Sequence, residues 1–178
     1  IIDAGKYRKQ GVGIVKGTKV AHIAPPYENV PFLMNDLFEY LKNKDELTLI
    51  KSCVFHYEME FIHPFLDGNG RMGRLWQTII LMEEYPVFEF LPFETLISKT
   101  QDSYYKSLAI SDSSGKSTYF IEYMLDVINK SLENLLNYDN RIIKDIDRLE
   151  YFYSLGIKEF TRKDYLHVFK DISPATAS

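Results

Sequence analysis

The sequence predicts a mainly α-helical fold with one small β-hairpin, and three observations carry that prediction. Apolar residues recur at helical spacing through most of the 178 residues, as in Leu47, Ile50, Val54, Tyr57 and Phe61. One pair of short β-prone runs flanks a glycine turn at Lys16-Gly17-Thr18-Lys19. Hydrophobic residues at 46% and charged residues at 26% lie near the average of globular chains, which leaves no compositional case for disorder.

In chain order, residues 1–11 are polar and basic, with Lys6, Arg8 and Lys9, and read as a lead-in without periodicity. Val12, Ile14, Val15, Val20, Ala21 and Ile23 form the hairpin, over about 12–24, and Ala24-Pro25-Pro26 ends it because proline cannot donate to a ladder. From Pro31, the residues Phe32, Leu33, Leu37, Phe38 and Leu41 make an amphipathic helix, stopped by the polar run Lys42-Asn43-Lys44-Asp45. Residues 46–62 form the next helix, and Pro64 pushes His63 out of helical conformation. Met72, Leu75, Trp76, Ile79 and Met82 place another helix from Gly70 or Arg71. Tyr85-Pro86 breaks the pattern, and Phe88, Phe90, Leu91 and Phe93 around Pro92 read as an aromatic segment packed on the core. A helix over 96–108, a loop over 111–117 and a long helix over 119–136 follow. The remainder reads as a helix over 142–155, a turn at Gly156, and a helix begun by a capping-box-like Thr161 and Asp164. Ser173 and Pro174 have the pattern of a cap and first position of one more helix.

The chemistry concentrates in His63-Pro64-Phe65-Leu66-Asp67-Gly68-Asn69-Gly70-Arg71-Met72-Gly73-Arg74, between two helices. A helix start presents unpaired amides and the positive end of the dipole, and glycines let that backbone close on a phosphate. Arg71 and Arg74, three residues apart on one helix, are placed to face one anion. The stretch lacks the spacing and the lysine of a P-loop. The residues alone give a nucleotide-phosphate site with a histidine base.

The pattern His-Pro-Phe-x-Asp-Gly-Asn-Gly-Arg-x-x-Arg resembles the signature of Fic-domain proteins (filamentation induced by cyclic AMP), with all nine specified positions filled. At residue frequencies of about one in twenty, a chance match falls below about 10^-10 per site. The resemblance implies a helical bundle over 1–136 with a hairpin flap before a proline-rich turn, and transfer of AMP from ATP to a Ser, Thr or Tyr hydroxyl of a target protein. By motif position His63 is the general base, Asp67 holds Mg2+, and Gly68, Asn69, Gly70, Arg71 and Arg74 bind the nucleotide phosphates, while Phe65 packs under the loop. The flap, Lys16, Gly17, Thr18, Lys19 and Val20, is expected to hold the target by strand addition. Family members often place a tyrosine near the base, which points to Tyr104 and Tyr105. They also often carry Asn-Arg ahead of that pair, where this chain has Thr100, Gln101 and Asp102. Transfer of UMP, phosphocholine or phosphate, removal of AMP, and a nucleotide-sensing regulator or DNA binder are the other readings. An intact His63 weighs against a sensor, which has no need of a base.

Residues 140–178 resemble the opening of a winged helix-turn-helix. Its Arg141, Lys144, Arg148, Lys158, Arg162, Lys163 and Lys170 are matched by Asp139, Asp145, Asp147, Glu150, Glu159, Asp164 and Asp171, so no basic footprint for DNA emerges. A net charge of -4 disfavours a general nucleic-acid or anionic-membrane binder. The single Cys53 lies in an apolar helix, packs as a small hydrophobe and fits a reducing cytoplasm. His56, Glu60 and His63 share a helical face, but a structural metal wants a fourth ligand, so His56 reads as a hydrogen-bonded core histidine. The start at Ile1 without a methionine suggests a fragment. Fic proteins are commonly restrained by a Ser/Thr-x-x-x-Glu-Gly/Asn helix whose glutamate pairs with the last motif arginine. The nearest approach here, Thr118 to Glu122, is followed by Tyr123, so that helix is expected before Ile1 and Arg74 is expected to be free. The partners expected are a target protein, that helix and a second copy of the chain.

Overall fold

The computed structural model describes residues 5–16, 19–91, 93–139, 145–156, 160–170, 172 and 173. The chain divides into two compact units, residues 1–132 and 133–178, and its architecture is mainly α-helical.

In the first unit, β1 (Gly13–Lys16) pairs antiparallel with β2 (Lys19–Ile23), Gly13 opposite Ile23 and Ile14 opposite His22, with an irregularity between Ile14 and Val15. Gly17 and Thr18, anticipated at the tip, lie outside the described residues. A 3-10 turn over Tyr27–Asn29 leads into α1 (Val30–Tyr40), where Pro31 occupies the first turn and costs no hydrogen bond. Val30, Met34 and Leu37 are the stripe it buries. α2 (Thr48–Ile62) is buried on several faces, through Cys53, Phe55, His56, Tyr57, Met59, Glu60 and Ile62, and so is a central helix. α3 (Asn69–Glu84) packs beside it, and Phe55, Met59 and Ile62 join Val30, Met34, Leu37 and Ile80 in one core. Trp76 closes that core against Phe38 and Phe55, with ring centroids 5.1 and 5.4 Å away. Cys53 packs as expected, and burial pushes its thiol up to about 12.

The aromatic segment after Tyr85 is a 3-10 turn over Pro86–Phe90, and it packs less completely than its composition suggests. Phe88 and Leu91 are buried whereas Phe90 is 74% exposed, and the side chain of Phe93 lies outside the described residues. The single helix anticipated over 96–108 is two, α4 (Phe93–Lys99) and α5 (Gln101–Ser114). They meet at Thr100, whose hydroxyl donates to the Leu96 carbonyl at 2.9 Å and competes with the helical ladder. The loop anticipated over 111–117 is also corrected, since α5 runs to Ser114 and ends at Gly115 with φ of 63°. Ser113 and Ser114 donate to the carbonyls of Ile110 and Ser111 at 3.0 and 3.1 Å, so a serine-rich run that reads as a loop completes a helix end instead. α6 (Thr118–Asp139) follows and buries Phe120, Met124, Val127 and Ile128.

The second unit contains α7 (Asp145–Ser154), a turn in which Gly156 takes φ of 69°, and α8 (Arg162–Val168). Thr161 and Asp164 form the anticipated capping box, the Thr161 amide donating to Asp164 Oδ2 at 2.7 Å. Phe152, Tyr165 and Phe169 make its core with Ile172. Residues 142–144, read as the start of α7, and the helix read from Pro174 lie outside the described residues. Among the described residues there is no wing, and no helix is long and apolar enough to cross a membrane.

Candidate functional site

α2 ends at His63, which takes a left-handed conformation at φ 50° and ψ 58° because Pro64 bars another helical turn. A non-glycine residue there costs about 1–2 kcal/mol and needs outside support. Arg8 supplies it. Its guanidinium donates to the carbonyl of His63 at 2.8 Å and to that of Ile62 at 3.3 Å, and its amide donates to the Pro64 carbonyl at 2.8 Å. The lead-in read as featureless is therefore a strap across the helix end, with Tyr7 against Phe65 at a centroid distance of 5.9 Å. The Arg8 guanidinium also donates to the carbonyls of Gln10 and Pro25, but the α2 carbonyls that give Arg8 its role lie more than fifty residues away and leave no local mark on it.

The His63 ring has Nδ1 3.3 Å from the carbonyl of Glu60, a contact that requires a proton on Nδ1 and leaves the Nε2 lone pair free to accept. Burial holds the His63 pKa below its ordinary value, opposed by the Glu60 carbonyl and charge and reinforced by the positive charges of His22 and Arg8. His63 is thus a neutral imidazole at neutral pH.

Past His63 the loop is held by Asn69, whose side chain accepts from the Phe65 amide and donates to the Phe65 carbonyl, both at 2.8 Å. The Asn69 side chain faces the loop it braces, so toward an anion Asn69 can offer its backbone amide. Gly68 precedes α3 in the left-handed region at φ 87°, and Met72 closes the first helical bond to the Gly68 carbonyl at 3.0 Å. The amides of Asn69, Gly70 and Arg71 accordingly stand at the helix mouth without intrahelical partners. Arg71 lies over the first glycine: a methyl on Gly68 would meet its Nη2 at 3.4 Å. Arg74 lies over the second, where a methyl on Gly70 would meet its Nη1 at 3.2 Å.

Asp67, 91% exposed, pairs with Arg71 at 3.3 Å, a surface contact worth at most about 1 kcal/mol that rearranges cheaply. An exposed carboxylate beside a helix mouth of unpaired amides has the chemistry to hold Mg2+, which keeps most of its waters. Arg74 is not free as expected: its Nε pairs with Glu94 on α4 at 3.2 Å. Glu94 is itself 71% exposed.

α3 can lie this close to α2 because position 73 is glycine. A methyl on Gly73 would come within 2.6 Å of His56 Cδ2. His56 cannot withdraw, with Nδ1 bonded to Gln77 Oε1 at 2.7 Å and Nε2 to the Tyr104 hydroxyl at 3.2 Å. His56 is therefore the hydrogen-bonded core histidine, and no group of three His, Cys, Asp or Glu side chains among the described residues could hold a metal. Glu60 lies beside it with Oε1 buried, 3.7 Å from His56 Nε2 and without a hydrogen-bond partner among the described residues. The two tyrosines proposed for the base part company. Tyr104 is buried against His56 and Phe120, burial driving its pKa well up, whereas Tyr105 is exposed. Of the flap residues, Lys16, Lys19 and Val20 lie in the strands. Sequence reading passed over His22 as well as Arg8; its partners Phe61 and Asp112 are 39 and 90 residues away.

Comparison with known proteins bears on this arrangement. The Fic/DOC family model matches residues 1–81. A solved Fic family protein from Desulfovibrio desulfuricans G20 superposes with a TM-score of 0.72 at 42% identity, covering 97% of this chain and 52% of that one. This chain is a Fic/DOC family homologue. Its curated Fic relatives include a probable protein adenylyltransferase of Aquifex aeolicus, 41% identical over 43% of this chain and 23% of its own length. The protein adenylyltransferase Fic of Drosophila melanogaster is 30% identical over 74% of this chain and 25% of its own. The chain thus spans about a quarter of the curated relatives it matches, while its mainly helical fold matches that of the solved Fic structure.

Proposed function

We propose that the chain is a Fic-type nucleotidyltransferase that moves AMP from ATP to a Ser, Thr or Tyr hydroxyl of a target protein. The observation that carries this is the state of His63: a neutral ring, its Nδ1 proton directed to the Glu60 carbonyl and its Nε2 free, beside a helix mouth lined by amides and two guanidiniums. In this reading Nε2 takes the hydroxyl proton as the hydroxyl oxygen bonds to the α-phosphorus, and the bond from that phosphorus to the bridging oxygen breaks. Pyrophosphate leaves with the electron pair. The amides of Asn69, Gly70 and Arg71 stabilise charge on the phosphoryl oxygens. Arg71 and Arg74 hold the leaving phosphates, Arg74 once it exchanges Glu94 for phosphate. Mg2+ on Asp67 would neutralise phosphate charge and orient the leaving group. The hairpin is the flap that receives the target by strand addition, and ATP and Mg2+ are the small partners. Tyr105, exposed next to Tyr104, remains the candidate at the base. Residues 140–178 we read as the opening of a winged-helix-like unit, and the cytoplasm as the compartment of the whole.

The test incubates the purified chain and a cell lysate with ATP labelled at the α- or the γ-phosphate, followed by mass spectrometry of labelled proteins. AMP transfer leaves the α label on a hydroxyl and releases the γ label. Retention of the γ label would make the chain a phosphotransferase, and label from UTP or a phosphocholine donor would change the transferred group.

A further inference from the structure

Two cations from the N-terminal segment hold three successive carbonyls at the end of α2. Arg8 takes those of Ile62 and His63, and His22, on β2, has Nε2 2.9 Å from that of Phe61. The other nitrogen of His22, Nδ1, is 2.7 Å from Asp112 Oδ2 at the end of α5. Its side chain is only 9% exposed, with the Phe61 ring against it at 5.3 Å. A carbonyl oxygen and a carboxylate oxygen are both acceptors, so each contact needs an N-H from the ring. A neutral imidazole has one. The geometry therefore requires the imidazolium, and the negative end of the α2 dipole favours that charge.

We propose that His22 is a positioning residue: as an imidazolium bonded to Asp112 and to the Phe61 carbonyl, it latches the hairpin to the end of α2 in a fixed, proton-dependent register. The surroundings of the ring support this. Asp112 is fully engaged, its Oδ1 receiving the Tyr57 hydroxyl at 2.9 Å. From α2, Glu58, Glu60 and Tyr57 face this cluster, Glu58 itself held above its ordinary pKa by burial and by Asp112. Arg8 is the fixed positive charge at this helix end, where His63 is held neutral. The bond to Asp112 outweighs burial and, with the Phe61 carbonyl and the acidic charges, raises the His22 pKa above its ordinary 6.5. The doubly bonded latch is complete below that ordinary value and is lost as pH rises through the raised one. Its consequence for target binding rests on the flap reading above; the latch itself does not.

Amide exchange of the full chain across pH, expressed as protection factors, reads the latch directly. Protection in β1 and β2 should fall about tenfold or more as pH rises through the His22 titration, while the interior of α2 holds. Asp112→Asn decides the cause. An asparagine accepts from Tyr57 and donates to a neutral Nδ1 while Nε2-H keeps Phe61, so hairpin protection should become flat with pH. His22→Phe removes both bonds and should leave the hairpin weakly protected at every pH. Flat protection in the wild type, or the same fall in Asp112→Asn, would overturn the latch. In the transfer assay KM for the target protein should rise with pH in step with lost protection, at constant ATP affinity. Lost protection without any transfer would leave the latch standing and sink the AMP-transfer reading instead. Lost protection with a pH-independent target KM would remove the positioning role.

Discussion

His63 and His22 bond carbonyls of the same last turn of α2, those of Glu60 and Phe61, yet their partners drive them to opposite protonation states. His22 has a carboxylate on its second nitrogen and keeps a proton there. His63 has burial and the positive charges of His22 and Arg8 around it, so its second nitrogen stays bare. One side chain type thus serves as a structural cation and, in the proposed function, as a base in a single unit, and the deciding factor is what stands opposite the second nitrogen. The cation also acts on the base: while His22 is charged, it helps hold His63 neutral.

The comparison breaks most sharply at His63. His63→Ala should lower transfer by about 10^2 to 10^4 while leaving ATP affinity within a few fold, because in the proposed function the amides and arginines, not His63, hold the phosphates. Calorimetry beside the transfer assay checks this, and wild-type transfer in the variant would remove His63 as base.

Arg8→Met keeps the stem but deletes the donors to four carbonyls, those of Gln10, Pro25, Ile62 and His63, and should cost at least about 1.5–3 kcal/mol in a denaturant titration. If the strap also holds the His63 backbone in place, transfer should fall further than ATP binding. Gly73→Ala tests the close approach of α3 to His56: about 1–3 kcal/mol of overpacking, offset by about 1 kcal/mol of helix propensity, should leave the variant with a lower melting temperature. The smallest effect belongs to Glu94→Gln. An exposed pair is worth at most about 1 kcal/mol, so stability should barely move, while ATP affinity should rise a few fold as Arg74 is released.

The motif loop was legible because its chemistry is local. His63, Pro64, the glycines and both arginines fall within twelve residues, and proline and glycine rules place the helix end and start within a residue or two. Arg8 and His22 were not legible, since each owes its role to partners brought together by folding. The end of α5 misled for a different reason: serines whose hydroxyls return to backbone carbonyls suit a loop or a helix end equally, and composition cannot choose. For Tyr104 the resemblance points to a base pocket, whereas a tyrosine pair on a helix taken alone suits core or rim, and Tyr104 is buried against His56.

The opposite states of the two rings also make opposite contributions to stability. The His63 contribution is present above the ordinary pKa of 6.5 and is lost as pH falls through the lowered value, while that of His22 is present below 6.5 and is lost as pH rises through the raised one. A long-range proton–nitrogen NMR titration of the wild-type chain, with histidine labelled in the ring, reads both rings at once. At pH 6.5 His63 should carry its proton mainly on Nδ1 alone and His22 should mainly carry one on each nitrogen, with His63 titrating below 6.5 and His22 above it. A doubly protonated His63 or a neutral His22 at that pH would contradict the account.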